Sequence, residues 1–376
     1  MNCNFLAMRL SILLRYLKLP HYLNLFLKVK TMFALCSDIT IGKFRFSGVN
    51  EVRISKSIHS ISDTAVIKLP SIAKVITGGK VMPEYVITGK QFNEGDPVTI
   101  NLGYDTSFTE EFQGFVTRCD LGMPLEVICE GYSWLLRRNN INRFWVSVSI
   151  KELLEAAVDG IDPDYTITVQ CEVDMQLANI RINDESGFDV ISNLSKYTDY
   201  CLTCYFIQPN VLWCGLVYTQ FALGNNVLND QVISYRLGYN CIKDNNLKVR
   251  KTENDPVEVK YFKKQANGTK ISATSDINNI AAANHTKIIN HASDQASLQD
   301  MANEKAYMLN YAGYEGDLTA FLQPYASPGN EAYITDSRYP ERNGNYLIES
   351  TEINFGINGA RRILEIGPLS GFANQK

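Results

Sequence analysis

The sequence is poor in the residues and motifs on which many enzymes depend. Only four histidines occur in 376 residues, and there is no GxSxG, HExxH, phosphate-binding P-loop or dinucleotide-binding fingerprint. These absences argue against the common hydrolases, zinc peptidases and nucleotide-dependent enzymes.

One short segment contains the residue types of a serine-hydrolase triad. His291, Ser293 and Asp294 lie within four positions of each other. Ser293 and Asp294 are, however, the residues expected at a helix start, as a cap and a first-turn acid. We therefore interpret the segment as the beginning of a helix.

Two pairs of adjacent acids, Glu110–Glu111 and Asp184–Glu185, are candidates for glycosidase carboxylates. A glycosidase needs two carboxylates that face each other across a cleft. Acids in a loop before a strand, or at a helix start, are more often solvated or matched to the helix dipole. The sequence therefore predicts no catalytic, cofactor-binding or metal-binding residues, and no cofactor.

Positive charge is neither abundant nor clustered. Lys and Arg number 36 against 40 Asp and Glu, which gives a net charge of −4, and beyond residue 31 no basic block stands out. Proteins that grip nucleic acid neutralise its phosphates with such clusters. The composition therefore predicts no specific nucleic-acid binding.

Cysteine is present, but not at the spacing of a disulfide framework or a zinc site. The nine cysteines are irregularly placed, and their apolar surroundings favour reduced side chains in a protein that folds in the cytoplasm. Cys201 and Cys204 form a CxxC with Cys214 nearby. We expect Cys201 and Cys204 to lie in one strand with their thiols on opposite faces, which favours packing over zinc or redox chemistry.

Residues 1–31 differ in composition from the rest of the chain. They contain five Lys or Arg and no Asp or Glu, and the basic residues interrupt the apolar runs well short of a membrane span. An amphipathic membrane helix is one interpretation. We favour the other, in which Met32 is the start and residues 1–31 are a non-native or dispensable extension.

A β-strand pattern occurs twice, from Gly95 to Gly131 and from Gly329 to Gly367. Each copy has a Gly-led turn, an alternating strand, a second turn and strand, and a third strand that ends in Gly. Alternation at period two predicts a sheet with one buried face. The residues expected to face inward are Val98, Ile100, Leu102, Phe115, Val116, Leu125, Val127 and Cys129 in the first copy, and Ala332, Ile334, Tyr346, Ile348, Ile363, Leu364 and Ile366 in the second. The copies are interpreted as two similar β-barrels, with chance similarity of two β-meanders as the alternative.

Helices are predicted between and after these copies. Ser149 and Glu152 form a capping box at the start of one helix. A second helix is expected from Ser186–Gly187, followed by a hairpin with its turn at Pro209–Asn210, and a third helix after Ser293.

The predicted fold class is mainly β with an α+β insertion, made of two similar small β-barrel modules plus a helix-containing α/β domain. The predicted domains after the extension 1–31 are a first β-barrel at 32–146, an α/β insertion at 147–230, and a second β-barrel with one helix at 231–376. Residues 71–94 are interpreted as a long excursion between strands of the first barrel.

Four segments carry a resemblance to a known family. They are FRFSGVNEVRISKSIHSISDTAVIKLP (44–70), GDPVTINLGYDTSFTEEFQGFVT (95–117), SPGNEAYI (327–334) and NGNYLIESTEINFGINGARRILEIG (343–367). Their order resembles the phage tail baseplate hub family, which includes late control protein D, the Mu-like tail hub and the N-terminal hub part of VgrG. The similarity extends over residues 38–371.

The resemblance implies a structural role in an assembly. Three chains of such a hub form a ring whose six similar barrels meet a six-fold tail tube, and the ring adapts that tube to a three-fold spike. Because the chain stops shortly after the second barrel, the spike is expected to be a separate protein. The implied partners are a homotrimer, the tail tube protein, the spike and other baseplate proteins. The implied location is the baseplate of a virion tail, assembled in the bacterial host cytoplasm, with no membrane in the assembled state.

Such a ring encloses a channel that the tape measure and DNA occupy only in transit. We expect its wall to be polar, neutral or acidic, because tight phosphate contacts would slow the passage of DNA. Arg361 and Arg362 are adjacent, and alternation places them on opposite faces of a strand. At most one of them can face the channel, and we expect that one to be paired with an acid.

The alternative function is a secreted or membrane-anchored β-rich protein that binds carbohydrate or another surface. That interpretation depends on residues 1–31 being a membrane element. The free cysteines and the duplicated barrel favour the hub.

Overall fold

The structure is a computed structural model. It describes residues 34–77, 80–225, 232–242, 246–250, 257–265, 268–276, 283–311 and 313–371. The extension 1–31 lies outside the described residues, and those from Cys36 onward belong to one unit.

Strands dominate the described chain. They are β1 Leu35–Ile41, β2 Phe44–Phe46, β3 Glu51–Ser57, β4 Thr64–Leu69, β5 Ile72–Thr77, β6 Lys80–Ile87, β7 Pro97–Tyr104, β8 Ser107–Asp120, β9 Leu125–Glu130, β10 Asn140–Ser149, β11 Thr168–Cys171, β12 Gln176–Ser186, β13 Thr203–Gln208, β14 Val211–Gly215, β15 Val232–Arg236, β16 Lys248–Arg250, β17 Val257–Lys264, β18 Lys270–Thr274, β19 Ala283–Ile288, β20 Gly313–Ala320, β21 Glu331–Thr335, β22 Gly344–Gly356 and β23 Gly359–Leu369. The helices are α1 Ser133–Leu136, α2 Ile150–Val158, α3 Gly187–Tyr197, α4 Val217–Ala222 and α5 Gln295–Asn310, with 3-10 turns at Thr88–Gln91 and Pro340–Arg342. The prediction of a mainly β fold with a helix-containing α/β part is confirmed.

One sheet of thirteen strands contains both copies of the repeated pattern. Its order is β16-β20-β23-β22-β3-β4-β9-β8-β7-β1-β2, and β21 and β15 are attached beside β22. The two copies join where β22 pairs antiparallel with β3, from Ser350 opposite Ser57 to Gly356 opposite Glu51. We call β1–β4 with β7–β9 the first β-module, and β15, β16 and β20–β23 the second β-module.

The residues predicted to face inward are buried in both modules, with one exception. Ile363 lies on the opposite face of β23, because the alternation there buries Arg362, Leu364 and Ile366. Four residues from the second half of the chain also pack in the core of the first module, namely Leu322, Ile353, Phe355 and Ala360. The two modules are therefore joined by apolar packing as well as by backbone hydrogen bonds.

The predicted α/β insertion has its own core, and that core extends beyond residue 230. Helices α2 and α3 pack with the ribbon β10-β12 and with the sheet β11-β14-β13. The sheet β18-β17-β19 and helix α5 join the same core through Val259, Tyr261, Leu298 and Met301. Strands β17–β19 and helix α5, which the sequence analysis groups with the second barrel, thus pack with the α/β region through their apolar faces.

The helix starts follow local capping rules. Ser149 and Ser186 cap α2 and α3, each accepting a hydrogen bond at 3.1 Å from the backbone amide three residues on. At α5 the cap is Asp294, whose Oδ1 accepts from the Ser297 amide at 2.8 Å. The expectation of Ser293 as the cap was wrong by one position, since its hydroxyl donates to the Asp294 carboxylate instead.

The chain leaves the large sheet at residues 71–94, as predicted, but it does so as an antiparallel hairpin with a register shift between Lys74 and Ile76. β5 and β6 pair antiparallel, with Ile72 opposite Ile87 and Ile76 opposite Val81. β-Branched residues at these positions favour the extended conformation. Within the described residues, this hairpin forms a separate two-stranded sheet.

Candidate functional site

The junction between the two β-modules contains a buried ion pair. Arg362 Nη2 on β23 lies 2.7 Å from Glu111 Oε1 on β8, and both side chains are 1% exposed. Arg362 also donates from Nη1 to the Ala326 carbonyl at 2.9 Å and from Nη2 to the Leu322 carbonyl at 3.1 Å. Burial raises the pKa of Glu111, and the guanidinium opposes that shift. Charge and hydrogen bonds together thus tie the modules at a site that excludes water.

This arrangement corrects one expectation and refines another. Glu111 was interpreted as a solvated loop acid, yet it lies within β8 and is buried because it faces the junction. The adjacent Arg361 is half-buried and lies 5.1 Å from the Phe321 ring centroid. Arg361 and Arg362 occupy opposite faces of β23, as expected. The arginine that pairs with an acid is Arg362, which is buried in the junction with Glu111.

A second junction links the α/β region to the second module. Glu304 of α5 is completely buried, and its carboxylate accepts from the amides of Tyr218 at 2.9 Å and Thr219 at 2.6 Å. The Tyr218 hydroxyl donates to Glu349 Oε1 of β22 at 2.7 Å. Burial raises the pKa of Glu304 to about 7. The hydrogen bond with Glu349 is the main cause that raises the pKa of His59.

A polar cluster anchors the loop after α3 to the sheet β18-β17-β19. Asp199, which has a φ of +54°, accepts from the Tyr261 hydroxyl at 2.8 Å. His285 Nε2 lies 2.9 Å from the same carboxylate, and Lys287 forms an ion pair with it. Burial would raise the pKa of Asp199, but hydrogen bonds from Lys287 and its neighbours hold that pKa below its usual value. Burial raises the pKa of the nearby Cys201 thiol to about 12, so this thiol is poorly suited to act as a nucleophile. Both oxygens of the Asp199 carboxylate already have partners.

The residues of the apparent triad are not brought together as a catalytic group. His291 Nδ1 lies 3.3 Å from the Ala178 carbonyl oxygen, and its ring packs against Tyr197. Ser293 donates to Asp294, which caps α5. The other acid pair is also engaged locally, since Asn193 donates to Glu185 Oε2 at 2.7 Å.

The CxxC cysteines do not share a strand. Cys201 precedes β13 and is buried beside Tyr261, whereas Cys204 lies within β13. Cys204 is instead the cross-strand partner of Cys214 on β14, and Cys171 on β11 is opposite Cys214 on its other side. The sequence spacing did not reveal this row, because register between strands decides it.

The hairpin β5–β6 carries an apolar surface. Six of its side chains are between 46% and 69% exposed: Ile72, Ile76, Val81, Met82, Tyr85 and Ile87. Lys74 lies 4.7 Å from the Tyr85 ring centroid and is the charged member of the same surface. Contiguous exposed apolar residues of this kind are typical of interaction sites.

Two other kinds of site are absent from the part of the chain that the structure describes. No group of three or more His, Cys, Asp or Glu side chains is arranged to hold a metal ion. No helix among the described residues is both long and apolar enough to cross a membrane.

Solved structures share this fold. A tail protein from Neisseria meningitidis matches with a TM-score of 0.60 at 10% identity, covering 89% of this chain and 96% of that one. The 43 kDa tail protein of prophage MuSo2 from Shewanella oneidensis matches with a TM-score of 0.57 at 11% identity, covering 90% and 99%. The chain shares the fold of these phage tail proteins. An E. coli component of the type VI secretion system, described as similar to T4 bacteriophage tail proteins, matches with a TM-score of 0.54 at 10% identity over 88% and 77%.

At the level of the fold, this similarity to phage tail proteins confirms the resemblance drawn from the order of the segments. No family model and no curated protein matches the sequence, so the similarity is carried by the fold. Within this fold, the β3–β22 pairing and the Glu111–Arg362 pair join the two modules, and the β5–β6 hairpin lies outside their shared sheet.

Proposed function

We propose that this chain is a structural baseplate hub of a phage tail or a related injection machine. Three copies form a ring that adapts a six-fold tail tube to a three-fold spike. The observation that carries the proposal is the tail-hub fold with two β-modules fixed side by side in one sheet. Three such chains supply six similar modules, which suits a six-fold partner.

Rigid coupling of the modules supports this role. A closed ring of this kind needs heterologous contacts between the first module of one chain and the second module of the next. Such contacts close only if the angle between the modules within a chain is fixed. The β3–β22 ladder and the Glu111–Arg362 pair would hold that angle.

The proposed partners follow from the same role. They are two further copies of the chain, the tail tube protein, a separate spike and other baseplate proteins, while the tape measure and DNA pass through the channel. The proposed location is the baseplate of the virion tail, after assembly in the bacterial host cytoplasm. The alternative of a membrane-anchored surface binder depends on residues 1–31, which lie outside the described residues.

Oligomeric mass tests the proposal. Light scattering of the purified chain is expected to give three times its mass of 42.3 kDa, and electron microscopy of that species should show six modules around a pore. If the chain is monomeric by itself, the tail tube and spike proteins of the same genome are added. A chain that stays monomeric with both partners at high concentration would contradict the hub.

We also infer that the chain catalyses no reaction. The candidate residues have structural partners: Glu111 with Arg362, Ser293 with Asp294, and His291 with the Ala178 carbonyl. Purified protein is expected to release no fragments from peptidoglycan. Hydrolysis that disappears in Glu110→Gln would overturn this inference, because Glu110 is exposed and its loss should not disturb the fold.

A further inference from the structure

Three cysteines form a row across the sheet β11-β14-β13. Cys171 is opposite Cys214 in the parallel pair, and Cys204 is opposite Cys214 in the antiparallel pair. Cross-strand partners point to the same face of a sheet, so the three thiols are neighbours. The Cys204 and Cys214 sulfur atoms are 3.1 Å apart.

Burial increases along the row. Cys204 and Cys214 lie in the core of the α/β region, whereas Cys171 at the edge of the sheet is half-buried. The neighbouring Cys214 thiol is the main cause that lowers the pKa of Cys171 to about 7, while the neighbouring thiols of Cys171 and Cys204, together with burial, raise the pKa of Cys214. The member of the row at the edge of the sheet thus has a lowered pKa, and the thiolate is the form that attacks a disulfide.

We propose that these cysteines are a thiol relay, in which Cys171 reacts with a small-molecule disulfide and a Cys204–Cys214 disulfide forms in the core. The inference goes beyond the CxxC spacing, since the bond joins residues on neighbouring strands. A disulfide has a sulfur–sulfur distance of about 2.05 Å. The sulfur atoms of Cys204 and Cys214 therefore need to approach by about 1 Å, a shift that side-chain rotation can supply.

The relay proceeds by three exchanges. The Cys171 thiolate attacks one sulfur of oxidised glutathione, which forms a mixed disulfide and releases one glutathione as a thiolate; this thiolate takes up the proton that Cys171 lost to solvent. Cys214 then attacks the Cys171 sulfur, loses its proton to the leaving glutathione, and forms a Cys171–Cys214 disulfide. Cys204 next attacks the Cys214 sulfur and passes its proton to Cys171, which is regenerated. In total, two protein thiols are oxidised to one disulfide and one small disulfide is reduced to two thiols.

The consequence for a particle rests on the proposed function. The chain would fold with reduced thiols in the cytoplasm and would meet oxidising conditions only after release of the particle. A Cys204–Cys214 bond would then link β13 to β14 covalently within the α/β core. The thiol chemistry itself can be measured on the isolated chain and does not depend on the hub assignment.

Peptide mapping by mass spectrometry tests the relay. The reduced full-length chain is incubated with oxidised glutathione, quenched at intervals with an alkylating agent, and digested without reduction. The wild type is expected to accumulate a Cys204–Cys214 linked peptide pair with Cys171 free. Cys171→Ser should slow formation of that pair about tenfold or more, because the core thiols then lack an accessible thiolate. Cys204→Ser should stop the reaction at a Cys171–Cys214 disulfide.

Cys119→Ser is the matched control. Cys119 is also half-buried and lies on β8 of the first β-module, so its loss should leave the rate of the wild type unchanged. Circular dichroism and the melting temperature establish that each variant is folded. The relay is refuted if the wild type gains only glutathione adducts, or if Cys171→Ser forms the core disulfide at the rate of the wild type.

Discussion

At the scale of single residues, two buried carboxylates account for much of how the parts of this chain are held together. Glu111 and Glu304 are each at most 1% exposed, yet their partners differ. Glu111 meets a guanidinium, whereas Glu304 meets two backbone amides. The stability that Glu111 contributes should therefore depend mainly on its arginine partner, whereas the stability that Glu304 contributes should depend on pH.

Removal of the guanidinium should strongly destabilise the fold. Arg362→Met leaves Glu111 buried without a counter-charge and leaves two carbonyl groups without a donor. We expect a loss of about 3–5 kcal/mol in the free energy of unfolding, measured by urea denaturation. Arg361→Met is the control, since Arg361 is half-buried and contacts the Ala360 carbonyl and the Phe321 ring without an acidic partner in an ion pair among the described residues. The control should cost less than about 1 kcal/mol, and equal losses in the two variants would refute a special role for the buried pair.

Stability should fall with rising pH because of Glu304. Its pKa is raised by burial from 4.5 to about 7, so the folded state holds the proton more tightly than the unfolded state does. Its contribution is fully present below pH 4.5 and is lost as pH rises through about 7. The loss amounts to roughly 3 kcal/mol.

Glu304→Gln replaces the ionisable carboxyl with a neutral amide, so comparison with this variant isolates the effect of Glu304 on the free energy of unfolding. The difference in unfolding free energy between the wild type and Glu304→Gln should decrease between pH 5 and pH 8 by roughly 3 kcal/mol. Urea denaturation at a series of pH values measures it. Parallel curves for the two proteins would show that Glu304 is ionised in the folded state throughout.

At the scale of elements, the β5–β6 hairpin stands out because its apolar side chains are exposed to solvent in the single chain. A two-stranded hairpin is only marginally stable in water by itself, and this one presents a row of exposed aliphatic and aromatic side chains. Under the proposed function, this surface is suited to contact a neighbouring copy in the ring.

Polar substitution of the hairpin should weaken assembly without loss of the fold. The double variant Ile76→Ser and Tyr85→Ser should change the unfolding free energy of the chain by less than about 1 kcal/mol. The trimer mass in light scattering should decrease at the same concentration. Ile357→Ser is the control, because Ile357 is 92% exposed in the turn between β22 and β23 and stands alone. If the double variant forms trimers as well as the wild type does, the contact between neighbouring copies does not involve the hairpin.

At the scale of the whole molecule, the charge balance bears on transport through a ring. The net charge is −4, with no basic block beyond residue 31. Within the second module, Arg362 is neutralised by Glu111. Under the proposed function, these features suit a channel wall along which DNA slides.

The assembled ring should therefore not retain duplex DNA. We expect no binding at micromolar concentration in physiological salt, because few phosphates would be neutralised. Fluorescence anisotropy of a labelled duplex measures this. Micromolar affinity that weakens steeply with added salt would indicate a positive wall and would contradict the proposed channel.

The sequence by itself determined the features that depend on near neighbours. The capping serines Ser149 and Ser186 and the alternating apolar residues of both copies specify where helices start and which strand faces are buried. These features follow from hydrogen bonds and side-chain periodicity within a few residues. The order of such segments was also enough to suggest the tail-hub fold.

Only the tertiary structure decided which distant segments meet. The β3–β22 ladder, the Glu111–Arg362 pair and the cysteine row each join residues that are far apart in sequence or lie on different strands. For the same reason, residues 257–310 were grouped with the second barrel although they pack in the α/β core. Strand register and chain path select these contacts, and period-two patterns are compatible with many pairings. The sequence around Glu111 therefore predicts a solvated carboxylate. The burial of that carboxylate depends on β23, which brings Arg362 against it.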